Sequence, residues 1–422
     1  TKIYVRVLIS FIDISCLPRP DYALDGSHYI ANEQEIASFD AAGNYAKIIP
    51  SGLDYYVSPT RGCPYKCTYC VNNTYAKLCQ EVNKEIRSKI EDRDGLSAGK
   101  KAAIVKRFRK RPIDKVMEEL IWAKNNLPIH RVMIDDDCFL AVKEEDIRIF
   151  ANEYKKHVGL PFVIRGAHPQ NVTEEKLRLL CEAGLIKLRV GVQTGSDRIR
   201  KLYDRTWENS AKVLKMARLI NKFVKKGLLR YAIYDVIVDN PWETEQDQRE
   251  TLDLALSLPK PFGLYCFSLT FYPGTDLYER AHFEKLIRGD STDEAYWQNY
   301  FDLSPTPINQ IFRLMRTIPL PSVIMRALVK KEGVAGILRR MLLHFSKRVP
   351  EIAWLFKTHL RYDVDCMIEY ASTEEDKKRL AREYKEMIKQ HETSRIELLL
   401  RYIVINIYVI FLAPKSASAI RK

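Results

Sequence analysis

Cys63, Cys67 and Cys70 lie in the run Ser58-Pro59-Thr60-Arg61-Gly62-Cys63-Pro64-Tyr65-Lys66-Cys67-Thr68-Tyr69-Cys70. The spacing is C-x3-C-x2-C, with the aromatic Tyr69 just before the third cysteine. Three thiolates on one tight loop can each ligate one iron of a four-iron cluster, which leaves the fourth iron open to a substrate or cofactor. Two other readings start from the same residues. A zinc site needs four ligands, usually in close-spaced pairs. Cys79 or a distant histidine would have to be the fourth, because no second close-spaced cysteine pair occurs. Unpaired core cysteines follow helix or strand periodicity, whereas these sit in a loop containing Gly and Pro. Spacing and context favour the cluster.

The run resembles the signature of the radical S-adenosylmethionine (radical SAM) superfamily, and the likeness extends over residues 17–281. It implies that Cys63, Cys67 and Cys70 hold a [4Fe-4S] cluster whose open iron chelates the amino and carboxyl groups of S-adenosylmethionine. One electron then cleaves the sulfonium into methionine and a 5′-deoxyadenosyl radical, which abstracts hydrogen from the substrate. The protein's share is placement and exclusion of water. Residues 17–24 and 48–67 resemble the segment that, in one branch, joins a cobalamin-binding domain to the barrel. The D-x-H-x-x-G motif of that domain is not found, and Asp25-Gly26-Ser27-His28 has the wrong spacing. The implied protein is a cobalamin-linked member lacking its cobalamin domain, so cobalamin is a conditional cofactor and methyl transfer a conditional outcome.

The elements around this loop alternate. β-rich runs at 55–59, 131–134, 161–166, 187–193, 231–238 and 264–271 are separated by helices such as 174–183 and 245–258. Thr173 opens the first of these helices, and Thr244 and Asp247 stand at capping-box spacing before the second. This rhythm implies a parallel sheet covered by helices, in the α/β class. Periodicity alone leaves an open doubly wound sheet as an alternative. The resemblance implies an incomplete (β/α)6 TIM-like barrel, with an N-terminal linker at 1–50, the core barrel at 51–285 and a mainly helical C-terminal region at 286–422.

Working residues in such a barrel sit at the C-terminal ends of strands. Asp136 and Asp137, in Asp135-Asp136-Asp137-Cys138-Phe139, follow the second strand, and a carboxylate there can pair with the cofactor's ammonium. An Asp triplet alone equally fits a divalent metal or a solvated turn. Arg165 can clamp a carboxylate and His168 can donate a proton. The resemblance implies that Gln193, in Val190-Gly191-Val192-Gln193-Thr194-Gly195-Ser196, bonds the cofactor ribose, with the glycines admitting its backbone and Ser196 in the same set. Many members carry Glu at the Gln193 position. Asp239 and Asn240 open an Asp239-Asn240-Pro241-Trp242-Glu243-Thr244 run typical of the cobalamin-linked branch, whose backbone would meet the adenine while Trp242 shields the radical. Tyr272, in a Tyr-Pro-Gly-Thr run, faces substrate or packs.

At 422 residues, with 46% hydrophobic content, the chain can build a large barrel with an appendage. Nine cysteines and no signal peptide fit a reducing, cytoplasmic setting rather than a disulfide scaffold. Thr1 in place of Met suggests an incomplete or processed chain. The net charge of +14 favours anionic partners or is simply a basic exterior. The cluster Lys100, Lys101, Lys106, Arg107, Arg109, Lys110 and Arg111 reads as a solvated face rather than a phosphate patch, since few aromatics interleave. Helical stretches are expected at 322–348 and 374–401. The apolar run 402–412 is too short to span a bilayer; it reads as buried, with peripheral membrane contact as the alternative. Partners expected beside S-adenosylmethionine are a reductant such as flavodoxin or ferredoxin and a small-molecule or lipid substrate, with nucleic acid not favoured. Two rival functions remain: a radical SAM methylthiotransferase or other RNA-modifying enzyme, and a non-enzymatic protein with a structural metal site.

Overall fold

The computed structural model describes residues 28–32, 35–38, 53–91, 107–127, 129–287, 303–304, 306–317, 322–329 and positions 378 and 382. The chain divides into two compact units, Thr1–His359 and Leu360–Lys422, and every element named below belongs to the first. Strands β1 (His28–Asn32) and β2 (Glu35–Ser38) form an antiparallel hairpin inside the stretch that sequence patterning leaves as a linker. β3 (Leu53–Val57) leads into the cysteine loop, which contains the short strand β4 (Thr60–Arg61) and runs into helix α1 (Val71–Glu91). β5 (Arg109–Lys110) and α2 (Ile113–Asn126) precede β6 (Ile129–Asp135), α3 (Glu144–His157) and β7 (Phe162–Ala167). Next come α4 (Glu174–Glu182), β8 (Leu185–Gln193), α5 (Asp197–Leu202), α6 (Ser210–Lys225) and β9 (Tyr231–Val238). The core ends with α7 (Glu245–Ser257), β10 (Gly263–Ser268) and α8 (Asp276–Phe283), followed by α9 (Pro307–Thr317) and α10 (Ser322–Val329).

The main sheet has six strands in the order β3-β6-β7-β8-β9-β10, all parallel. Each new strand is laid beside the one before it. A doubly wound sheet would reverse this order at a switch point, so the arrangement is that of an incomplete (β/α) barrel. Side chains alternate between the faces of a strand. Val132, Ile134, Phe162, Ile164, Leu188, Val190, Tyr234, Val236, Leu264 and Cys266 therefore share one face, and all are buried in the main apolar core. The other face, inside the barrel, carries Arg131, Met133, Val163, Arg165, Lys187, Arg189, Ile233, Asp235, Tyr265 and Phe267 by the same alternation, with Asp54 opposite Arg131 and Asp135 opposite Arg165 in the register.

Polar capping fixes where the helices start. Thr173, Asn209 and Thr275 each accept a backbone N–H from their own helix, and Thr244 with Asp247 forms a full capping box on α7. Each such cap stabilises its helix by about 1 kcal/mol. The last strand stops at Ser268, short of the expected 271, and the expected helices at 322–348 and 374–401 lie mostly outside the described residues, as does 402–412. No helix among the described residues is long and apolar enough to cross a membrane.

Candidate active site

The cysteine loop leaves the C-terminal end of β3 and is pinned from two directions. On the β6 side, Asp136 accepts from the backbone N–H of Thr60 at 2.6 Å, the Thr60 hydroxyl at 2.5 Å and the Cys138 N–H at 2.9 Å. Asp137 accepts from the Gly62 N–H at 2.8 Å and from the Asn72 amide at 2.8 Å. On the other side β4 pairs with β5, and Arg107 donates Nε to the Cys63 carbonyl at 2.9 Å and Nη2 to the Tyr65 carbonyl and to Asn73 Oδ1 at 3.1 Å. Gly62 makes this crossing possible. Its φ is +81°, and a Cβ there would stand 2.1 Å from the Arg107 carbonyl oxygen. Gly62→Ala is expected to destabilise the protein by about 2 kcal/mol through strain at this φ and to loosen the loop, read as a lower urea midpoint with unchanged slope.

Cys63, Cys67 and Cys70 are all free thiols, and Cys67 is buried. A hydrogen bond with Cys138, then burial, pushes the Cys63 thiol far up; burial raises Cys67 and lifts Cys70 to about 11. Arg205 works the other way on Cys67. Its guanidinium is buried, its Nη1 lies 3.8 Å from Cys67 Sγ and 3.2 Å from Tyr69 Oη, and Nη2 donates to the Gly191 carbonyl at 2.8 Å. Glu208, fully buried, takes Nε and Nη2 at 2.8 and 3.1 Å. Among the described residues no three His, Cys, Asp or Glu side chains converge on a single ion. A four-iron cluster does not require that, since each thiolate takes its own iron. The donor set fits it: three unpaired thiols on one clamped loop, with a buried cation against the most enclosed of them.

Three aromatic rings wall the loop. Tyr65 stacks on His168 at 3.8 Å and on Trp207 at 5.0 Å, while its hydroxyl donates to Asn171 Oδ1 at 2.9 Å. His168 does not fit the role of proton donor. Burial and the Arg205 charge lower its pKa to about 2, and its Nε2 faces the Trp207 N–H at 3.1 Å. It is a neutral stacking residue. The Asn171 amide donates to Cys138 Sγ at 3.2 Å, so this wall also holds the thiol that meets Cys63. Sequence reasoning singles out neither Arg205, Glu208, Trp207 nor Asn171, and it reads Arg107 as solvated.

Of the seven residues expected to bind cofactor, Gln193 alone lines the cleft at the barrel mouth, with Tyr69, Arg189, Asp235, Ser268 and Tyr272 among its neighbours. Arg165 is half-buried and 3.5 Å from Asp135. The others are engaged within the protein. The Asp136 and Asp137 carboxylates hold the cysteine loop, as above. Ser196 is buried, caps α5 and donates its hydroxyl to Asp247 at 2.6 Å. Asp239 takes Ser268 Oγ at 3.0 Å, the Ser304 N–H at 2.9 Å and the Asn309 amide at 2.6 Å, tying the barrel mouth to α9. Asn240 donates to the Tyr203 hydroxyl at 3.0 Å and accepts from the Trp242 N–H at 3.0 Å. Gly195 serves a helix rather than a ligand: a Cβ there would be 2.3 Å from the Glu250 carbonyl of α7. Trp242 packs on Phe271 and donates to Glu284 at 2.6 Å, and it is not among the residues lining the cleft.

Glu243, in the same turn, has a buried Oε1 that finds no hydrogen-bond partner among the described residues. Burial, with Asp247 and Asp239 nearby, raises its carboxyl from 4.5 to about 8. Between those values the folded protein holds a proton that the unfolded chain has released, so this contribution to stability is lost as pH rises towards 8. Glu243→Gln is expected to gain melting temperature over the parent progressively from pH 5 to 8 and no further above it. A difference independent of pH would refute the assignment.

Residues 57–255 match the sequence profile of the Radical SAM superfamily, and the match takes in the cysteine loop, β6 through β9 and nearly all of α7. These residues form a radical SAM domain. The chain is also similar to an uncharacterized methyltransferase of Pyrococcus horikoshii, 24% identical over 69% of this chain and 58% of that protein. A tRNA-2-methylthio-N(6)-dimethylallyladenosine synthase of Corynebacterium jeikeium is 24% identical over 58% of this chain and 44% of its own length. The matches thus span about half of these relatives. Among solved structures, the radical S-adenosylmethionine methyltransferase TsrM of Kitasatospora setae superposes with a TM-score of 0.42 at 16% identity, over 58% of this chain and 39% of that one.

Proposed function

We propose that this chain is a radical SAM enzyme of the cobalamin-linked branch, in which Cys63, Cys67 and Cys70 hold a [4Fe-4S] cluster and S-adenosylmethionine is the radical source. The observation that carries the reading is the free three-thiol loop at the C-terminal edge of a singly wound parallel sheet, clamped by Asp136, Asp137 and Arg107. When bound, such a cluster supplies one electron at low potential to the sulfonium. The protein's own residues do the rest. Arg205 favours the Cys67 thiolate and fixes Tyr69 beside it. Gln193, with φ of +69°, offers its amide to the cleft, where it can meet cofactor hydroxyls. Tyr65, His168 and Trp207 exclude water from one flank of the loop.

The test is anaerobic reconstitution with iron and sulfide. About four irons per chain, with S-adenosylmethionine-dependent release of 5′-deoxyadenosine under dithionite or reduced flavodoxin, supports the reading. One zinc and no nucleoside would support a structural metal site instead. A methyl group delivered to an acceptor only when cobalamin is added would establish the finer, cobalamin-dependent reading. The similarity to tRNA methylthiotransferases and the charge of +14 favour a second reading, RNA modification. Mass spectrometry of nucleosides after incubation with bulk tRNA decides it. A cytoplasmic setting belongs to the same proposal, with peripheral membrane contact through 402–412 as the alternative to burial of that run.

A further inference from the structure

Inside the barrel, four residues before Gln193 on β8, Arg189 is held by one edge of its guanidinium. Its Nε donates to both Asp235 oxygens, at 2.9 and 2.8 Å. Its carbon Cζ lies 5.1 Å from the ring centres of both Tyr265 and Phe267, which fixes the plane of the guanidinium. Among the described residues neither Nη1 nor Nη2 makes a hydrogen bond, and the side chain stays 20% exposed where it lines the cleft. An Arg held through Nε alone keeps its end-on pair of N–H groups for a planar, two-oxygen acceptor, the geometry of a carboxylate. The neighbouring surfaces of Tyr69, Ile237, Phe267, Leu269 and Tyr272 are largely apolar. Asp235 sits at the same guanidinium and would repel a dianion more than a monoanion.

We infer that Arg189 is the anchor for a substrate carboxylate, and that the substrate is a carboxylic acid with an apolar or aromatic body. This rests on the radical SAM reading, in which the carboxylate of S-adenosylmethionine goes to the open iron and leaves Arg189 to the substrate. Phosphate esters share the anionic chemistry, and the fork geometry together with Asp235 favours the carboxylate.

The probes are benzoate, phenyl phosphate and uncharged benzyl alcohol, followed by saturation-transfer NMR on the full chain before cluster reconstitution. Benzoate is expected to bind more tightly than phenyl phosphate. Arg189→Gln is expected to weaken benzoate at least tenfold while leaving benzyl alcohol unchanged, and Arg189→Lys to fall between. Asp235→Asn, which removes the competing carboxylate, is expected to tighten benzoate severalfold. A variant that merely damaged the fold would not produce that gain. Undiminished benzoate binding in Arg189→Gln, equal loss of the alcohol, tighter phenyl phosphate, or displacement of benzoate by S-adenosylmethionine would each overturn the inference. Because these arms need no cluster, a failed reconstitution would sink the radical SAM reading and still leave the Arg189 result readable.

Discussion

Arg205→Met is expected to lower the free energy of unfolding by about 3–5 kcal/mol, the usual cost of breaking a buried ion pair from one side. Glu208 is fully buried, and both of its oxygens are held by this one guanidinium. Methionine matches the volume and leaves that carboxylate with its charge uncompensated. It also strips a donor from the Gly191 carbonyl and from Tyr69 Oη. A lysine at 205 keeps the charge without the planar fork, and can meet Glu208 or Gly191 but not both at once, so roughly half the loss is expected. Removing the stranded charge should restore part of the stability: Arg205→Met with Glu208→Gln should be more stable than Arg205→Met alone. A double-mutant cycle in urea, followed by tryptophan fluorescence, measures the coupling. A loss under about 1 kcal/mol would mean that the pair is neither buried nor bidentate in solution.

The thiol spacing, the strand–helix rhythm and the α7 capping box are local patterns, and each is visible in a single pass along the chain. The sequential strand order was only one of two topologies compatible with that rhythm, because periodicity does not record which strand lies beside which. What the sequence hides is contact at long separation. Arg205 reaches Cys67 across 138 positions, and nothing around Arg205-Thr206-Trp207 marks it as a neighbour of the thiols. Arg107 looks like one more charge in a basic run, and its carbonyl contacts with the cysteine loop exist only once β4 meets β5. Asp136, Ser196, Asp239 and Asn240 stand where strand ends meet loops, which in sequence makes them look ligand-facing. Position at a strand end does not tell a side chain that faces the cleft from one that binds its own chain, and these four spend their polar atoms on contacts within the protein. The inner-face charges, by contrast, are visible in the alternation of 187–193, as Lys187, Arg189 and Gln193 between apolar residues, but the pattern alone does not say that they line a cleft.

Serine at any one of Cys63, Cys67 or Cys70 is expected to abolish 5′-deoxyadenosine formation, by more than a hundredfold, and to drop iron well below the about four per chain of a complete cluster. Serine at Cys138 is the informative contrast. Cys138 is buried, meets Cys63 through a hydrogen bond and accepts one from Asn171. If it were a fourth ligand, every iron would carry a protein thiolate, no corner would remain for S-adenosylmethionine, and the protein would be an electron carrier. The clamp argues otherwise. Cys138 follows Asp136 and Asp137, which face the cysteine loop from the end of β6, and its N–H is tied to the Asp136 carboxylate while its sulfur is tied to the wall behind Tyr65. Those bonds hold the thiol against Cys63 as a neighbour. Cys138→Ser should therefore keep its iron, and its reduced cluster should still change its electron paramagnetic resonance spectrum when S-adenosylmethionine is added, the signature of an open iron. Loss of iron in that variant equal to the loss in Cys63→Ser would make the ligand set a tetrad and end the case for radical chemistry at this loop.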